Sequence, residues 1–255
     1  MCLCVETVSL FTASRERSFF STQRHKVTEL HRGVIPIHNN AMIKYVLFDF
    51  DGTLVDSKEV FLTAFNHIAD KYHFKKIDSA NLDQLRHLSM MERFRFLRVP
   101  FYRVPFLTNE FLSLYRAGAG ALSLIDGMEA VLKKITEIGL PIGIVSSNSV
   151  ATIQHFVEKN GIPDISGIYC SGRLFGKDRI FRKFLKDHHL AGSEVLYVCD
   201  ELRDILACNK VQVTPIWVSW GFEIKEALSG GDLRHTAHTP EELFAIIEQE
   251  YLHRR

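Results

Sequence analysis

The sequence predicts an α/β fold built on a parallel sheet, and three observations support this prediction. The first is the continuous apolar run from Tyr45 to Phe48, which is typical of a strand buried on both faces. The second is the alternation of further short apolar runs with longer segments that follow the helical period. The third is the placement of polar residues directly after several of these runs, where an open parallel sheet gathers its functional groups.

The alternation of predicted elements is regular from Gly127 onward. The later strands are predicted at residues 142–145, 168–170, 195–198 and 216–218. The helices between them carry apolar residues on one face: Met128 to Ile138, Ile153 to Val157, Ile180 to Leu185, and the segment through Ile205 and Leu206. A last helix is predicted at Thr239-Pro240, because threonine is favoured at the N-cap and proline at the first helical position. Such strand–helix–strand units predict a parallel, Rossmann-like sheet.

Residues 58–123 interrupt this alternation with a segment of helical pattern. Its first part places apolar residues on one helical face: Val60, Phe61, Ala64, Phe65 and Ile68. We interpret the segment as a small all-helical cap, inserted after the first strand and lying over that strand's end. Residues 42–57 and 124–255 would then form the α/β core. Residues 1–41 have no sustained helical or strand period, which predicts a disordered extension.

The overall composition is ordinary for a soluble globular protein. The chain has 255 residues, of which 46% are hydrophobic, and its net charge is +1. This charge gives no global attraction to nucleic acid or to an anionic membrane, and no apolar run is long enough to span a bilayer. The five cysteines, an odd number without paired spacing in the body, favour reduced thiols and a cytoplasmic location. Both a monomer and a homodimer are compatible with the sequence.

Four carboxylates are expected to converge at the carboxyl edge of the sheet. Asp49 and Asp51 follow the first strand, while Asp200 and Asp204 follow the strand at 195–198. Carboxylates this close repel one another, so they need cations for compensation. Lys177 supplies one positive charge, and a set of oxygen ligands without histidine or cysteine favours Mg²⁺ as the other.

Phosphoryl transfer requires this set of groups. One carboxylate attacks the phosphorus, while a metal ion and a lysine neutralise the phosphoryl oxygens and a hydroxyl orients them. A second carboxylate two residues away can protonate the leaving alcohol and later activate water. The hydroxyl is expected from Ser146, and Gly52-Thr53 suits a tight turn whose backbone N–H groups face a phosphate.

These residues form four motifs that resemble the haloacid dehalogenase-like hydrolase superfamily. The first is the DxDGT element, Asp49-Phe50-Asp51-Gly52-Thr53. The others are Ser146 at a strand end, Lys177 in Phe-Gly-Lys-Asp-Arg, and the acidic pair in Asp200-Glu201-Leu202-Arg203-Asp204. The resemblance covers residues 43 to 250, and the helical insertion is similar to the cap of the phosphoglycolate-phosphatase-like branch.

The resemblance implies a role for each motif residue in hydrolysing a small phosphorylated metabolite. Asp49 would be the nucleophile and a Mg²⁺ ligand, and Asp51 the general acid/base with its carbonyl on the metal. Asp200 would bind the metal, and Asp204 would complete the metal shell or support Lys177. The expected substrate-binding residues are Gly52, Thr53, Ser147, Asn148 and Arg86.

The chain departs from the family pattern at Cys199, where relatives usually carry glycine. A cysteine there either strains the loop before Asp200 or fills space as an ordinary residue. We expect the second, because a strained cysteine is the rarer case.

Three other functions are compatible with parts of this pattern. A phosphomutase uses the same pair of aspartates but needs cap groups for a second phosphate, for which Arg86, His87 and Arg93 are candidates. A dehalogenase needs neither Asp51 nor Asp200, so both argue against it. A non-catalytic binding protein would not need the complete motif set.

Overall fold

The structure is a computed structural model that describes residues 41–162, 165–171, 176–228 and 233–253. The extension predicted for residues 1–41 lies outside the described residues, apart from Ala41. No helix in the described part of the chain is long and apolar enough to cross a membrane.

The main sheet has six parallel strands in the order β5-β4-β1-β6-β7-β8. The strands are β1 (Tyr45–Phe48), β4 (Ile142–Ser146), β5 (Ile165–Cys170), β6 (Val195–Cys199), β7 (Thr214–Val218) and β8 (His235–Ala237). Because β1 lies between β4 and β6, the carboxyl ends of these three strands are neighbours. This order confirms the predicted parallel α/β fold and brings three of the four predicted motifs to one edge.

Helices pack against the sheet, and β1 is buried on both faces as predicted. The core helices are α5 (Met128–Glu137), α6 (Val150–Lys159), α7 (Lys177–Asp187), α8 (Leu202–Asn209) and α9 (Pro240–His253). Val46 and Phe48 belong to one apolar cluster, while Tyr45 and Leu47 belong to another. This division follows from the two-residue period of a strand, which sends alternate side chains to opposite faces.

The helical insertion contains α1 (Lys58–Tyr72), α2 (Leu82–Arg86), α3 (Met90–Phe96) and α4 (Val104–Gly118). Val60, Ala64 and Ile68 are buried along α1, as the helical period predicts, whereas Phe61 is partly exposed. A separate apolar cluster within the insertion is built on four buried residues: Ile77, Leu85, Leu97 and Val99. The insertion therefore has an apolar core of its own.

A two-stranded antiparallel sheet marks both ends of the insertion and was not predicted. It pairs β2 (Val55–Asp56) with β3 (Ser123–Leu124). Strands of two residues are too short to show a period in sequence. The sequence also gave no signal for β8, because His-Thr-Ala contains no apolar run.

The other predicted elements are present with small differences in extent. The strand predicted at 168–170 begins earlier, at Ile165. At the start of α9, the Glu242 N–H donates to Thr239 Oγ1 at 3.2 Å, which confirms threonine as the N-cap residue. Cys170, Cys199 and Cys208 are free thiols.

Candidate active site

Asp49 and Lys177 form a buried ion pair at the carboxyl end of β1. Asp49 directly follows β1, and Lys177 is the first residue of α7. Lys177 Nζ lies 2.7 Å from Asp49 Oδ2, and the Phe50 N–H donates to Asp49 Oδ1 at 2.8 Å. Burial opposes the charge on Lys177, but attraction to Asp204 and Asp49 outweighs it and raises the lysine's pKa. The lysine is therefore held as a cation against the predicted nucleophile.

Asp204 and Tyr197 complete the surroundings of this lysine. Lys177 Nζ donates to Asp204 Oδ2 at 2.7 Å and to the Tyr197 hydroxyl at 2.9 Å. The Tyr197 hydroxyl in turn donates to the carbonyl of Val145 at 3.0 Å. Burial raises the pKa of Asp204 to about 6, although Lys177 favours its charged form. Asp204 thus contacts Lys177, which is one of the two roles that the family resemblance allowed for it.

Tyr197 was missed by the sequence analysis. It lies in the middle of β6, where every residue is buried. A buried tyrosine hydroxyl requires a hydrogen-bond partner, so a tyrosine inside an apolar strand was the available signal.

Both carboxylate oxygens of Asp51 are hydrogen-bonded. The Tyr115 hydroxyl, from α4 of the insertion, donates to Asp51 Oδ1, and Asn148 Nδ2 donates to Asp51 Oδ2 at 3.0 Å. Burial raises the pKa of Asp51, and the hydrogen bonds from Tyr115, Asn148 and Ser57 oppose this rise. Tyr115 was not a predicted site residue. Asn148 was, and the structure places it on Asp51.

The loop after β4 is tied to the acidic loop after β6. Ser146 Oγ accepts from the Asn148 N–H at 3.0 Å, which turns the chain at the strand end. Ser147 Oγ accepts from Arg203 Nη1 at 3.2 Å. Arg203 also binds Glu201 through two hydrogen bonds of 2.7 and 2.8 Å. Two of the predicted motifs are therefore linked through a single guanidinium group.

Asp200 is buried at the end of β6 and is bound from three directions. Thr53 Oγ1 donates to Asp200 Oδ1 at 3.3 Å, and the Phe222 N–H donates to Asp200 Oδ2 at 2.8 Å. Trp217 Nε1 donates to the Asp200 carbonyl at 2.9 Å. The side chain of Thr53 is thus directed at the acidic loop.

Two glycines leave room for the Asp200 side chain. A Cβ on Gly52 would lie 2.7 Å from Asp200 Oδ2, and the residue has a φ of +73° that other residues rarely adopt. A Cβ on Gly221 would lie 2.1 Å from Asp200 Cβ. The glycine of the first motif is therefore required by this close approach.

Arg86 lies on the insertion and contacts the segment after β7. Its Nε donates to the Phe222 carbonyl at 3.0 Å, and its Nη2 lies 3.4 Å from the Gly221 carbonyl. These contacts join α2 to the loop that carries the Asp200-binding N–H. The substrate-binding role of Arg86 stays a prediction.

The carboxylates of Asp49 and Asp200 suit a hard cation. Within the described part of the chain, no three Asp, Glu, His or Cys side chains converge as a metal site by themselves. Two buried carboxylates nevertheless lie at the 49–53 turn: Asp49 begins it, and Asp200 contacts its last residue, Thr53. Burial raises the pKa of Asp200 well above its usual range, and the neighbouring Glu201 and Asp49 charges add to the rise. Two carboxylates with a main-chain carbonyl and water fit Mg²⁺, which keeps several waters when it binds.

Comparison with known proteins identifies relatives over most of the chain. The family model described as haloacid dehalogenase-like hydrolase matches residues 46–218. A phosphoglycolate phosphatase from Synechococcus elongatus is 27% identical over 205 residues, which cover 80% of this chain and 97% of that protein. A phosphoglycolate phosphatase from Xanthomonas campestris is 28% identical over 196 residues, which cover 70% of this chain and 84% of that protein. The structure of a haloacid dehalogenase-like hydrolase from Streptococcus pneumoniae shares the fold, with a TM-score of 0.68 and 22% identity. The match covers 80% of this chain and 98% of that chain.

Proposed function

We propose that this chain, a phosphatase that belongs to the haloacid dehalogenase-like hydrolase family, hydrolyses a small phosphate monoester through a phosphorylated Asp49. The observation that carries this proposal is the buried contact between Asp49 and Lys177, with Asp51 two residues away and bound by separate partners. A carboxylate fixed beside a cation is suited to attack a phosphoryl group.

In the first step, an Asp49 carboxylate oxygen attacks the substrate phosphorus. The bond between phosphorus and the ester oxygen breaks, and the departing alcohol takes a proton from the Asp51 carboxyl group. The products of this step are aspartyl phosphate at Asp49, the free alcohol and an ionised Asp51.

In the second step, Asp51 accepts a proton from a water molecule that attacks the aspartyl phosphate. The bond between phosphorus and the Asp49 oxygen breaks, which releases inorganic phosphate and regenerates both carboxyl groups. Asp51 therefore begins and ends the cycle protonated, so the proton balance closes.

The remaining residues orient the phosphoryl group. Lys177, held by Asp204 and Tyr197, supplies positive charge, and the Ser146 hydroxyl and the backbone N–H group of Thr53 donate hydrogen bonds. The Gly52 N–H, which was also expected to face the phosphate, instead donates to the Val55 carbonyl at 3.0 Å and closes the turn. Mg²⁺, when bound by Asp49, Asp200 and the Asp51 carbonyl, supplies further charge neutralisation.

Residues 58–123 act as the cap over this edge of the sheet, and residues 42–57 and 124–255 act as the catalytic core. The contact of Tyr115 with Asp51 supports this division, because it brings the insertion to the catalytic carboxylate. The substrate is a small phosphorylated metabolite such as phosphoglycolate, and the protein acts in the cytoplasm. Neither nucleic acid nor a membrane is needed for this reaction.

A substrate screen coupled to mass spectrometry tests the proposal. Small phosphate monoesters, including phosphoglycolate and sugar phosphates, are incubated with the protein and Mg²⁺, and both phosphate release and isomerised product are measured. We expect phosphate release and a phosphorylated protein after rapid acid quenching. Isomerisation without phosphate release would instead favour a phosphomutase, and no phosphoprotein with any donor would favour a binding protein.

A further inference from the structure

We infer that Tyr115 is a positioning residue that fixes the Asp51 carboxylate for proton transfer to the leaving group. This inference rests on the proposed function, because it requires Asp51 to act as the general acid. It assigns a role in the reaction to a residue of the helical insertion.

Two of the groups that donate to Asp51 come from different parts of the molecule. Tyr115 belongs to α4 of the insertion, whereas Asn148 belongs to the loop after β4. Tyr115 donates to one carboxylate oxygen and Asn148 to the other, so rotation of the carboxylate about its last bond would break both of these hydrogen bonds. The insertion and the core therefore hold Asp51 jointly.

Asn148 is itself fixed in orientation. Its Oδ1 accepts from the Ser149 N–H at 2.7 Å, and its Nδ2 donates to Asp51 Oδ2 at 3.0 Å. The side-chain amide is thus assigned by its two partners, with the nitrogen directed at Asp51. Asn148 is also buried.

Tyr115 is buried and held by packing. Only 2% of its surface is exposed, and its ring lies 6.0 Å from that of Phe111 between ring centroids. Just after α4, the insertion contacts the core, because Lys159 Nζ of α6 donates to the Gly120 carbonyl at 3.2 Å. The adjacent Gly118 is packed against Val60 of α1, because a Cβ there would lie 3.1 Å from Val60 Cγ1. The hydroxyl of Tyr115 therefore has a fixed position relative to Asp51.

This arrangement has a consequence that depends on the substrate. A general acid must lie within hydrogen-bond reach of the oxygen that it protonates, and small misplacement is costly. An alkyl phosphate has a strongly basic leaving oxygen and depends on that proton. An aryl phosphate with an acidic phenol leaves without it. Removal of the Tyr115 hydroxyl should therefore harm the hydrolysis of alkyl phosphates selectively.

The test compares kcat/KM for phosphoglycolate and for 2,4-dinitrophenyl phosphate in Tyr115→Phe. The value of kcat/KM depends on the steps up to the phosphorylated enzyme, so it reports the step in which Asp51 is the acid. We expect a fall of at least about tenfold for phosphoglycolate, which is part of the roughly 10²- to 10⁴-fold that a general acid contributes, and of less than about twofold for the aryl ester. If another alkyl phosphate is the better substrate in the screen, it replaces phosphoglycolate.

Tyr72→Phe is the matched control within the insertion. The Tyr72 hydroxyl donates to Glu110 Oε2 at 2.8 Å and has no contact with Asp51. We expect this variant to keep the wild-type ratio between the two substrates. If Tyr115→Phe does not yield folded protein, Tyr115→Leu is measured in the same way.

Failure of the inference is distinguishable from failure of the proposed function. An equal fall for both substrates in Tyr115→Phe, or no fall for either, would overturn the positioning role. Asp51→Asn is measured in parallel, and full activity of that variant on the alkyl phosphate would overturn the proposed function itself. Loss of alkyl phosphate hydrolysis in Asp51→Asn with a wild-type ratio in Tyr115→Phe would overturn the inference alone.

Discussion

Arg93 of α3 and Glu223, in the segment after β7, form a buried ion pair between the insertion and the core. Arg93 Nη2 lies 2.8 Å from Glu223 Oε1, with 7% and 5% of the side chains exposed. Glu223 Oε2 also accepts from the Leu202 N–H at 2.5 Å, at the start of α8. The preceding residue, Phe222, donates its N–H to Asp200. The insertion is therefore connected through one short segment to the loop that carries Asp200.

Breaking this ion pair from one side should destabilise the protein strongly. In Arg93→Met, the Glu223 carboxylate loses its buried partner, and we expect the free energy of unfolding to fall by about 3 kcal/mol. Lys71→Met is the matched control, because it breaks the more exposed Lys71–Glu110 pair and should cost at most about 1 kcal/mol. Urea unfolding of both variants measures the difference, and equal losses would contradict the expectation.

Asp49→Asn should abolish turnover while leaving the fold intact. The amide cannot attack phosphorus or bind a cation as an anion. Steady-state phosphate release with circular dichroism measures both properties, and mass spectrometry excludes deamidation. Asp56→Asn, a change at an exposed residue near the same turn, should keep its activity. Multiple turnover by clean, folded Asp49→Asn would contradict the nucleophile assignment.

Cys199→Gly should cost stability without improving Mg²⁺ binding. Cys199 ends β6, is fully buried, and pairs with Trp217 of β7. Across the described ranges, the non-glycine residues with positive φ are His73, Arg98, His189 and Gln212, so the backbone at Cys199 is ordinary. We expect a loss of about 1–2 kcal/mol from the small cavity and from the greater freedom of glycine in the unfolded chain.

Cys199→Ala separates the two causes of that loss, because it leaves a similar cavity without adding the chain entropy of glycine. Urea unfolding measures the stability of each variant, and activity titrated against Mg²⁺ measures the metal dependence. A clearly lower half-saturating Mg²⁺ concentration in Cys199→Gly would show that the cysteine strains the loop.

Deleting residues 1–41 should leave the melting temperature and kcat nearly unchanged. The truncated chain keeps Ile43, which is buried, and Lys44, whose N–H donates to the Glu194 carbonyl at 2.8 Å. A longer deletion of residues 1–44 removes both contacts and should lower the melting temperature. A large loss of stability or activity in the shorter deletion would show that the extension packs on the domain.

The sequence by itself determined the parts of this protein that depend on local pattern. A run such as Tyr45–Phe48 predicts a strand because its residues share one local environment, and Thr239-Pro240 predicts a helix start through bonds within one turn. The convergence of Asp49 and Lys177 was also predicted, because the segments that follow parallel strands gather at one edge of the sheet.

Only the tertiary structure decided which side chains meet across distant segments. Tyr115 is 64 residues from Asp51, and Arg93 is 130 residues from Glu223. No helical or strand period encodes such pairs, because they depend on how the insertion packs against the core. For the same reason, Arg86 was recognised as a candidate, while its contacts with the carbonyls after β7 were not. Local sequence patterns fix secondary structure, whereas the partners of a buried polar group are set by packing between elements.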